Sequence, residues 1–342
     1  MKAAITDGKG NLWLEEIPVP MPNETQCLCK MQVCATCTGT DKKHIHNQLP
    51  WEQEYPGILG HESVGIVLEV GKKVRAFKPG DMVIRPTAVY NGEHFAGFSS
   101  LWGGFAEYGF VTDSAAFHES NPGVKPNPYV QFQLKVPADL GISPEEASMM
   151  ITLKEVIGYA ESVGVAMNHA TLLLGTGGVG LAFCEACKLL GATPLIVAAR
   201  SRRDFDRALS LGADYAVCTS DAPLRDTVMD ITHGMGVEHI IDCTGAAEFV
   251  QAAIGCISKT GKVSPYAKYP KNTRLSDVIP QEIILEGRTG EVRTHQWACS
   301  AYRHGLLRLN ELYSHKMPFS DIINGFGMIE RKEAFKIVFE MN

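Results

Sequence analysis

The sequence predicts an α/β chain in two parts, a β-rich first half followed by a doubly wound parallel sheet. Three observations carry this. Residues 1–150 break into short alternating apolar segments punctuated by Gly and Pro, the pattern of half-buried strands joined by tight turns. From Thr171 onward, short apolar runs alternate with helix-length segments, the rhythm of repeated βαβ units. The length of 342 residues is ample for two cores.

Taken in order, Lys2–Thr6, Leu12–Glu15 and Cys27–Cys34 are candidate strands, the last two separated by the Pro-rich turn Ile17–Pro22. Ser63–Val70 and Met82–Arg85 follow, with Lys78-Pro79-Gly80-Asp81 as the turn between them, and Phe105–Val111 adds another alternating segment. Residues 113–131 hold three prolines and two asparagines between 113 and 128, and are expected to form an irregular loop, either a lid or a mobile excursion. In the second half the expected strands are Thr171–Leu174, Leu195–Ala199, Tyr215–Val217, His239–Cys243, Gly261–Ser264 and Ile283–Gly287. The helices between them are Leu181–Leu190, Phe205–Leu211, Leu224–Thr232 and Ala246–Ile257. The tail Ala301–Asn342 should carry two helical segments and a short strand around Ile322.

The stretch that organises the chain is Gly175-Thr176-Gly177-Gly178-Val179-Gly180, set between the first strand of the second half and its helix. In that context G-x-G-x-x-G has a mechanism. Gly175 permits the tight turn, Gly177 lets the backbone approach a pyrophosphate, and Gly180 lets the helix pack close to the sheet. The free N–H groups and partial positive charge of the helix N-terminus face the phosphates. An NAD site would place Asp or Glu about 20 residues further on, to accept from the ribose hydroxyls. Here Ala199 stands nineteen residues after Gly180 and is followed by Arg200, Ser201, Arg202 and Arg203. Loss of the carboxylate removes its repulsion of a 2′-phosphate and guanidiniums supply forked donors, which favours NADP(H); a solvated basic turn is the plain alternative.

Composition excludes several classes. Hydrophobic residues make up 45% and charged residues 20%, which is ordinary globular material. A net charge of −6 gives no general electrostatic case for nucleic acid or an anionic membrane. No signal-peptide h-region follows Met1, and no apolar run approaches membrane-spanning length, so a cytoplasmic protein with reduced thiols is expected. The C-x-x-C pair Cys184 and Cys187 falls inside an expected helix and is read as core thiols.

The chemistry sits in the β-rich half. Cys37-Thr38-Gly39-Thr40-Asp41 follows an expected strand and Gly60-His61-Glu62 begins another. Thiolate, imidazole and carboxylate are suitable zinc ligands, and three protein ligands with an open position is the catalytic pattern. Singly, Cys37 is as well explained as a small buried hydrophobe and His61 as a structural hydrogen-bonder.

Together with Lys78-Pro79-Gly80-Asp81, Gly103-Gly104-Phe105-Ala106-Glu107-Tyr108 and the Gly175–Gly180 turn, these motifs resemble the medium-chain, zinc-dependent alcohol dehydrogenase superfamily over nearly the whole chain, with the sorbitol, threonine and glucose dehydrogenase branches nearest. The resemblance implies a GroES-like catalytic domain, residues 1–153 and 295–342, around a Rossmann domain, residues 154–294. It implies zinc on Cys37 and His61, Glu62 as ligand or near neighbour, Asp41 orienting His61, and a proton relay through Thr40 and His44. Thr244 would join the cofactor site. A small-molecule alcohol or carbonyl substrate and a homodimer or homotetramer, paired through the strand near Ile283–Gly287, are implied as well.

Two departures stand out. Thr38 is one residue more than the family motif has after its cysteine, so a local bulge is needed for Cys37 to reach the metal. The family's fourth ligand position falls near Ile151, which cannot bind metal, and Glu155, four residues on, is read as a ligand in its place, as a hydrogen-bonder to zinc-bound water, or as a solvated helix residue. No cysteine lies between Cys37 and Cys184, so one catalytic zinc and no structural zinc is expected. A zinc-free quinone or enoyl-type reductase of the same fold, and a non-catalytic NADP-binding protein, are the rival readings.

Overall fold

The computed structural model describes residues 1–341. Its first lobe holds two sheets. One has five strands in the order Leu12–Glu16, Lys2–Thr6, Gly57–Leu59, Phe98–Leu101, His94–Phe95. The other has the order Leu134–Lys135, Met82–Ile84, Glu62–Val70, Gln26–Ala35, Ile337–Glu340, His315–Pro318, with Tyr108–Thr112 also paired to Gln26–Ala35. The second lobe is a parallel sheet ordered Tyr215–Cys218, Leu195–Ala199, Thr171–Leu174, Val237–Asp242, Ile257–Pro265. Its strands are apolar runs because helices cover both faces.

Register delivers the site. Cys34 pairs with Ser63 and Ala35 with Glu62, so the chain leaving Gln26–Ala35 ends beside the chain entering Glu62–Val70. On the other side Cys34 pairs with Phe339 and Ala35 with Val338, which brings the segment before Ile337 to the same corner. The Gly-rich turn leaves the central strand of the parallel sheet where the order reverses, the place at which a crevice opens in such sheets.

The helix Pro144–Ser162 joins the lobes. It opens with a capping box between Ser143 and Glu146 and a Pro in its first turn, and it is buried on nearly all sides. A helix that is apolar all round belongs inside a core. One apolar cluster runs through it, from Val33, Val64 and Ile84 of the first lobe to Leu173, Phe183 and Leu195 of the second, and on to Ala298 of the helix Glu291–Arg303. Both expected domain switches, at 153/154 and 294/295, fall inside these two helices.

Several expected elements differ. Ile283–Gly287 is not a sixth strand: Pro280 starts a short 3-10 turn over Gln281–Ile283, and only Ile284 bridges to Val263. The 113–131 segment is not irregular throughout. Asp113 caps a helix, Ser114–Ser120, accepting from the Ala116 N–H, and a 3-10 turn occupies Pro128–Phe132. Ile322 opens the helix Ile322–Glu330, and the tail strands are His315–Pro318 and Ile337–Glu340. All ten cysteines are free, with Cys184 and Cys187 buried as expected of core thiols. No helix among the described residues is long and apolar enough to cross a membrane.

Candidate active site and metal centre

Cys37 occupies the N-cap position of the helix Thr38–Ile45. Its carbonyl accepts from the N–H groups of Thr40 and Asp41, and its own N–H donates to Asp41 Oδ2 at 2.8 Å. This turn takes up the extra residue. Thr38 points away and donates to the Phe335 carbonyl, while a Cys37, His61 and Glu62 donor atom all lie within 4.8 Å of one another. Among the described residues no other group of three or more such side chains is placed to share an ion. Asp41 is fully buried, with Oδ1 at 3.7 Å from His61 Nδ1. Neither atom has a hydrogen-bond partner, and burial pushes the Asp41 carboxyl well above the usual carboxylate range.

Burial sets the protonation chemistry. Desolvation, then the charge of Glu62, pushes the Cys37 thiol up to about 12, and desolvation followed by Arg85 holds His61 well below the usual imidazole range. A cation bound here would reverse the first effect, since a coordinating thiol is deprotonated outright. A thiol, an unprotonated imidazole and a carboxylate converging in a dry corner form a donor set that fits one zinc ion.

Glu62 has other partners too. Its Oε1 accepts from the Thr152 hydroxyl at 3.1 Å and its Oε2 faces the buried ammonium of Lys336. Lys336 also donates to Thr152 at 3.0 Å. Sequence reasoning missed Lys336, although a charge inside the apolar run Ala334–Phe339 was a signal, because lysine is almost never fully buried unpaired.

Glu155 is not part of the metal group. Its carboxylate pairs with Arg85 and accepts from the Tyr266 hydroxyl at 3.3 Å. Four residues past Ile151 it keeps the helix face, yet Arg85 intercepts it. Arg85, in a left-handed backbone conformation, also donates to the His61 carbonyl at 3.0 Å and faces Glu291 at 3.2 Å. Burial, then the Glu291 charge, raises Glu155 to about 7 against the lowering effect of Arg85.

A cleft of about 1010 Å³ joins these groups to the Gly-rich turn. Cys37, Thr40, His61, Glu155, Gly177, Gly178, Val179 and Thr244 line it. Gly175 takes φ +104 and a Cβ on Gly180 would lie 2.0 Å from the Gly175 carbonyl, so both are required by the turn itself. Thr244 is held by Asp242, its hydroxyl donating at 2.6 Å. Ala199 ends its strand, nearly buried. Of the basic run only Arg203 lines the cleft, where it donates to the Lys332 carbonyl; Arg202 pairs with Asp221, and Arg200 and Ser201 stand outside on the surface.

His44 does not face the cleft. The helix Thr38–Ile45 buries Asp41, His44 and Ile45, whereas Gly39, Thr40 and Lys43 line the opening. The His44 ring packs edge-on against Trp102 and burial brings it down to about 4. Lys43, its neighbour, reaches across to the Lys268 carbonyl.

The profile of the alcohol dehydrogenase GroES-like domain matches residues 23–120, and that of the zinc-binding dehydrogenase domain matches residues 178–300. The chain is 29% identical to the L-threonine 3-dehydrogenase of Pyrococcus abyssi, over 95% of this chain and 94% of that one. The chain belongs to the zinc-dependent medium-chain dehydrogenase family. It is 24% identical to the sorbitol dehydrogenase of Ovis aries, over 98% and 94% of the two chains. The alcohol dehydrogenase TADH from Thermus sp. ATN1 shares its fold, with a TM-score of 0.79 over the full length of both chains at 23% identity. Dehydrogenases of this family act on CH–OH groups with a nicotinamide cofactor, and that general chemistry holds for this chain.

Proposed function

We propose that this protein transfers hydride between NADP(H) and a small polar alcohol or carbonyl compound, a polyol or sugar being the favoured substrate, with one catalytic zinc. The observation that carries the reading is that Cys37 and His61 open onto the same cleft as Gly177, Gly178 and Val179. Zinc held by Cys37, His61 and Glu62 would supply positive charge for the alcohol or carbonyl oxygen, and the dinucleotide would carry the hydride. Asp41 holds the His61 ring in one orientation. Thr40, whose hydroxyl lies 3.5 Å from Cys37 Sγ, is the side chain placed to hold the proton of the reacting hydroxyl. Arg85 fixes Glu155, which leaves a carboxylate on the cleft wall to accept from further hydroxyls of a polyol. Ala199 and the neighbouring Arg200 support NADP(H), because no carboxylate stands at the strand end to repel a 2′-phosphate.

Metal analysis of the purified protein, with turnover of polyols and sugars measured against both cofactors, tests this. One zinc per chain, activity lost in chelator, and tighter NADPH than NADH binding are expected. Full activity without metal would replace the reading with a zinc-free reductase, and equal binding of the two cofactors would remove the NADP preference.

A further inference from the structure

Every alcohol oxidised releases a proton, and the structure closes the route for it that the resemblance implies. The Gln53 amide N–H₂ donates to His44 Nδ1 at 2.7 Å, and the amide oxygen accepts from the Tyr55 hydroxyl at 2.9 Å. His44 Nε2 therefore carries the ring's own proton. That nitrogen is buried without a partner, in a residue 1% exposed and packed edge-on against Trp102. With both ring nitrogens occupied, His44 has no place for a proton from the cleft. Thr40 can hold the reacting proton in a hydrogen bond, but a hydroxyl cannot store an extra one.

The other groups on the cleft wall leave one base. Cys37 and His61 belong to the metal group. The lysines there are ammonium groups with no proton to gain. Burial pushes the phenols of Tyr129, Tyr159 and Tyr266 and the Cys243 thiol up, so they stay protonated. Glu291 Oε2 faces two cations, Arg85 at 3.2 Å and Lys154 at 3.4 Å, on a side chain only 6% exposed. Glu155 remains. Its Oε1 pairs with Arg85, whose other branch donates to the His61 carbonyl, so one guanidinium separates it from the metal group. Its Oε2 meets only the Tyr266 hydroxyl, at 3.3 Å, and keeps a lone pair free. The side chain is 20% exposed where it lines the cleft.

We propose that Glu155 is the general base of the reaction, taking the proton of the reacting hydroxyl in oxidation and returning it in reduction. In oxidation the carbinol C–H leaves as hydride to the dinucleotide, the O–H electron pair becomes the second C–O bond, and the proton ends on Glu155 Oε2. The carboxylate becomes a neutral acid, and Oε1 keeps Arg85 throughout. Thr40 and a neighbouring hydroxyl of a polyol substrate pass the proton along. This deepens the alcohol reading and rests on it. The surroundings suit a group that exchanges a proton near neutrality. Burial, Glu291 and Glu62 favour the acid, Arg85 and Lys154 favour the carboxylate, and the balance stands at about 7.

The test uses the full-length, metal-loaded protein and the fastest-oxidised alcohol of a panel. In the parent, kcat/KM for oxidation should rise about tenfold per pH unit up to about pH 7 and then level off, with the opposite trend in reduction. Glu155→Gln should lose about 10²–10⁴-fold and show no inflection there. Glu155→Asp should keep the inflection at a lower rate, and added formate should restore activity to Glu155→Ala in proportion to its concentration. Infrared titration without substrate supplies a second readout. A protonated-carboxyl band should vanish through about pH 7 in the parent, and Glu155→Gln should retain only the share of Glu185, which burial also raises to about 7. A Glu155→Gln rate within threefold of the parent, an inflection that survives it, or identical infrared titrations would overturn the proposal. So would a folded, metal-loaded Glu155→Ala that formate does not rescue, which would leave Glu155 as a positioning residue for Arg85. If simple alcohols react and polyols do not, the polyol reading fails while these outcomes still decide the base.

Discussion

The ammonium of Lys336 faces Glu62 and donates to Thr152, in a corner where both charged side chains are almost wholly buried. It supplies, in the metal-free protein, the positive charge that a zinc ion would also bring to Glu62. Lys336→Met therefore strands a buried carboxylate, which costs about 3–5 kcal/mol. Zinc should return part of this by binding the freed Glu62, so the melting temperature of the variant should rise more on adding zinc than that of the parent; calorimetry with chelator and with zinc measures it. An identical zinc response in both proteins would remove Glu62 from the ligand set. Glu155 titrates differently. Burial raises its folded pKa to about 7, above the ordinary 4.5, so its contribution to stability is full below pH 4.5 and is lost as pH rises through 7. Glu155→Gln should be flatter than the parent over that window in denaturant titrations run at several pH values, and a parallel pH dependence would show that Arg85 outweighs burial. Neither partner was visible in the sequence pattern around Glu155, because Arg85 and Glu291 are distant in the chain and are brought together only by the fold.

At the scale of the element, the Gly-rich turn separates two uses of glycine. A Cβ on Gly180 would lie 2.0 Å from the Gly175 carbonyl, so Gly180→Ala should force the helix Gly178–Leu189 off the sheet and cost about 1–3 kcal/mol. Gly177 has φ −69 and nothing within 4 Å of a built Cβ. Gly177→Ala should therefore melt like the parent while binding NADPH more weakly in fluorescence titrations. Equal melting of the two variants would show that the turn relaxes, and unchanged NADPH binding by Gly177→Ala would place the pyrophosphate elsewhere. These glycines were legible because a short buried strand, a fixed spacing and a helix are local features. The sixth strand was not: Ile283–Gly287 is as apolar as a strand, and only the 3-10 turn after Pro280 shows that one residue pairs. Cys37 and His61 were legible as residue types, but their meeting depends on the Cys34–Ser63 register. Lys336 reaches them through the pairing of Ile337–Glu340 with Gln26–Ala35, which no local spacing reveals. His44 was misplaced because proximity to Cys37 in the chain says nothing about which helix face is buried.

The whole molecule is tied together across the cleft. The cluster through Pro144–Ser162 draws side chains from both lobes, and Lys43 to Lys268 and Arg203 to Lys332 cross the opening. Lobes that share a core should unfold as one unit, unlike domains joined only by a linker. The four tryptophans, Trp13, Trp51, Trp102 and Trp297, all lie outside the parallel-sheet segment 171–265 that carries the Gly-rich turn. Their fluorescence thus reports on the parts of the chain that do not contain the turn. NADPH at a hundred times its Kd adds about 2.7 kcal/mol to the folded state, which for a chain of this length corresponds to roughly 4 °C. In a single cooperative transition the tryptophan-reported midpoint and the far-UV circular dichroism midpoint should rise together by that amount. If NADPH moved the dichroism midpoint while the tryptophan signal melted where it did before, the two lobes would be independent units and the shared core would not couple them.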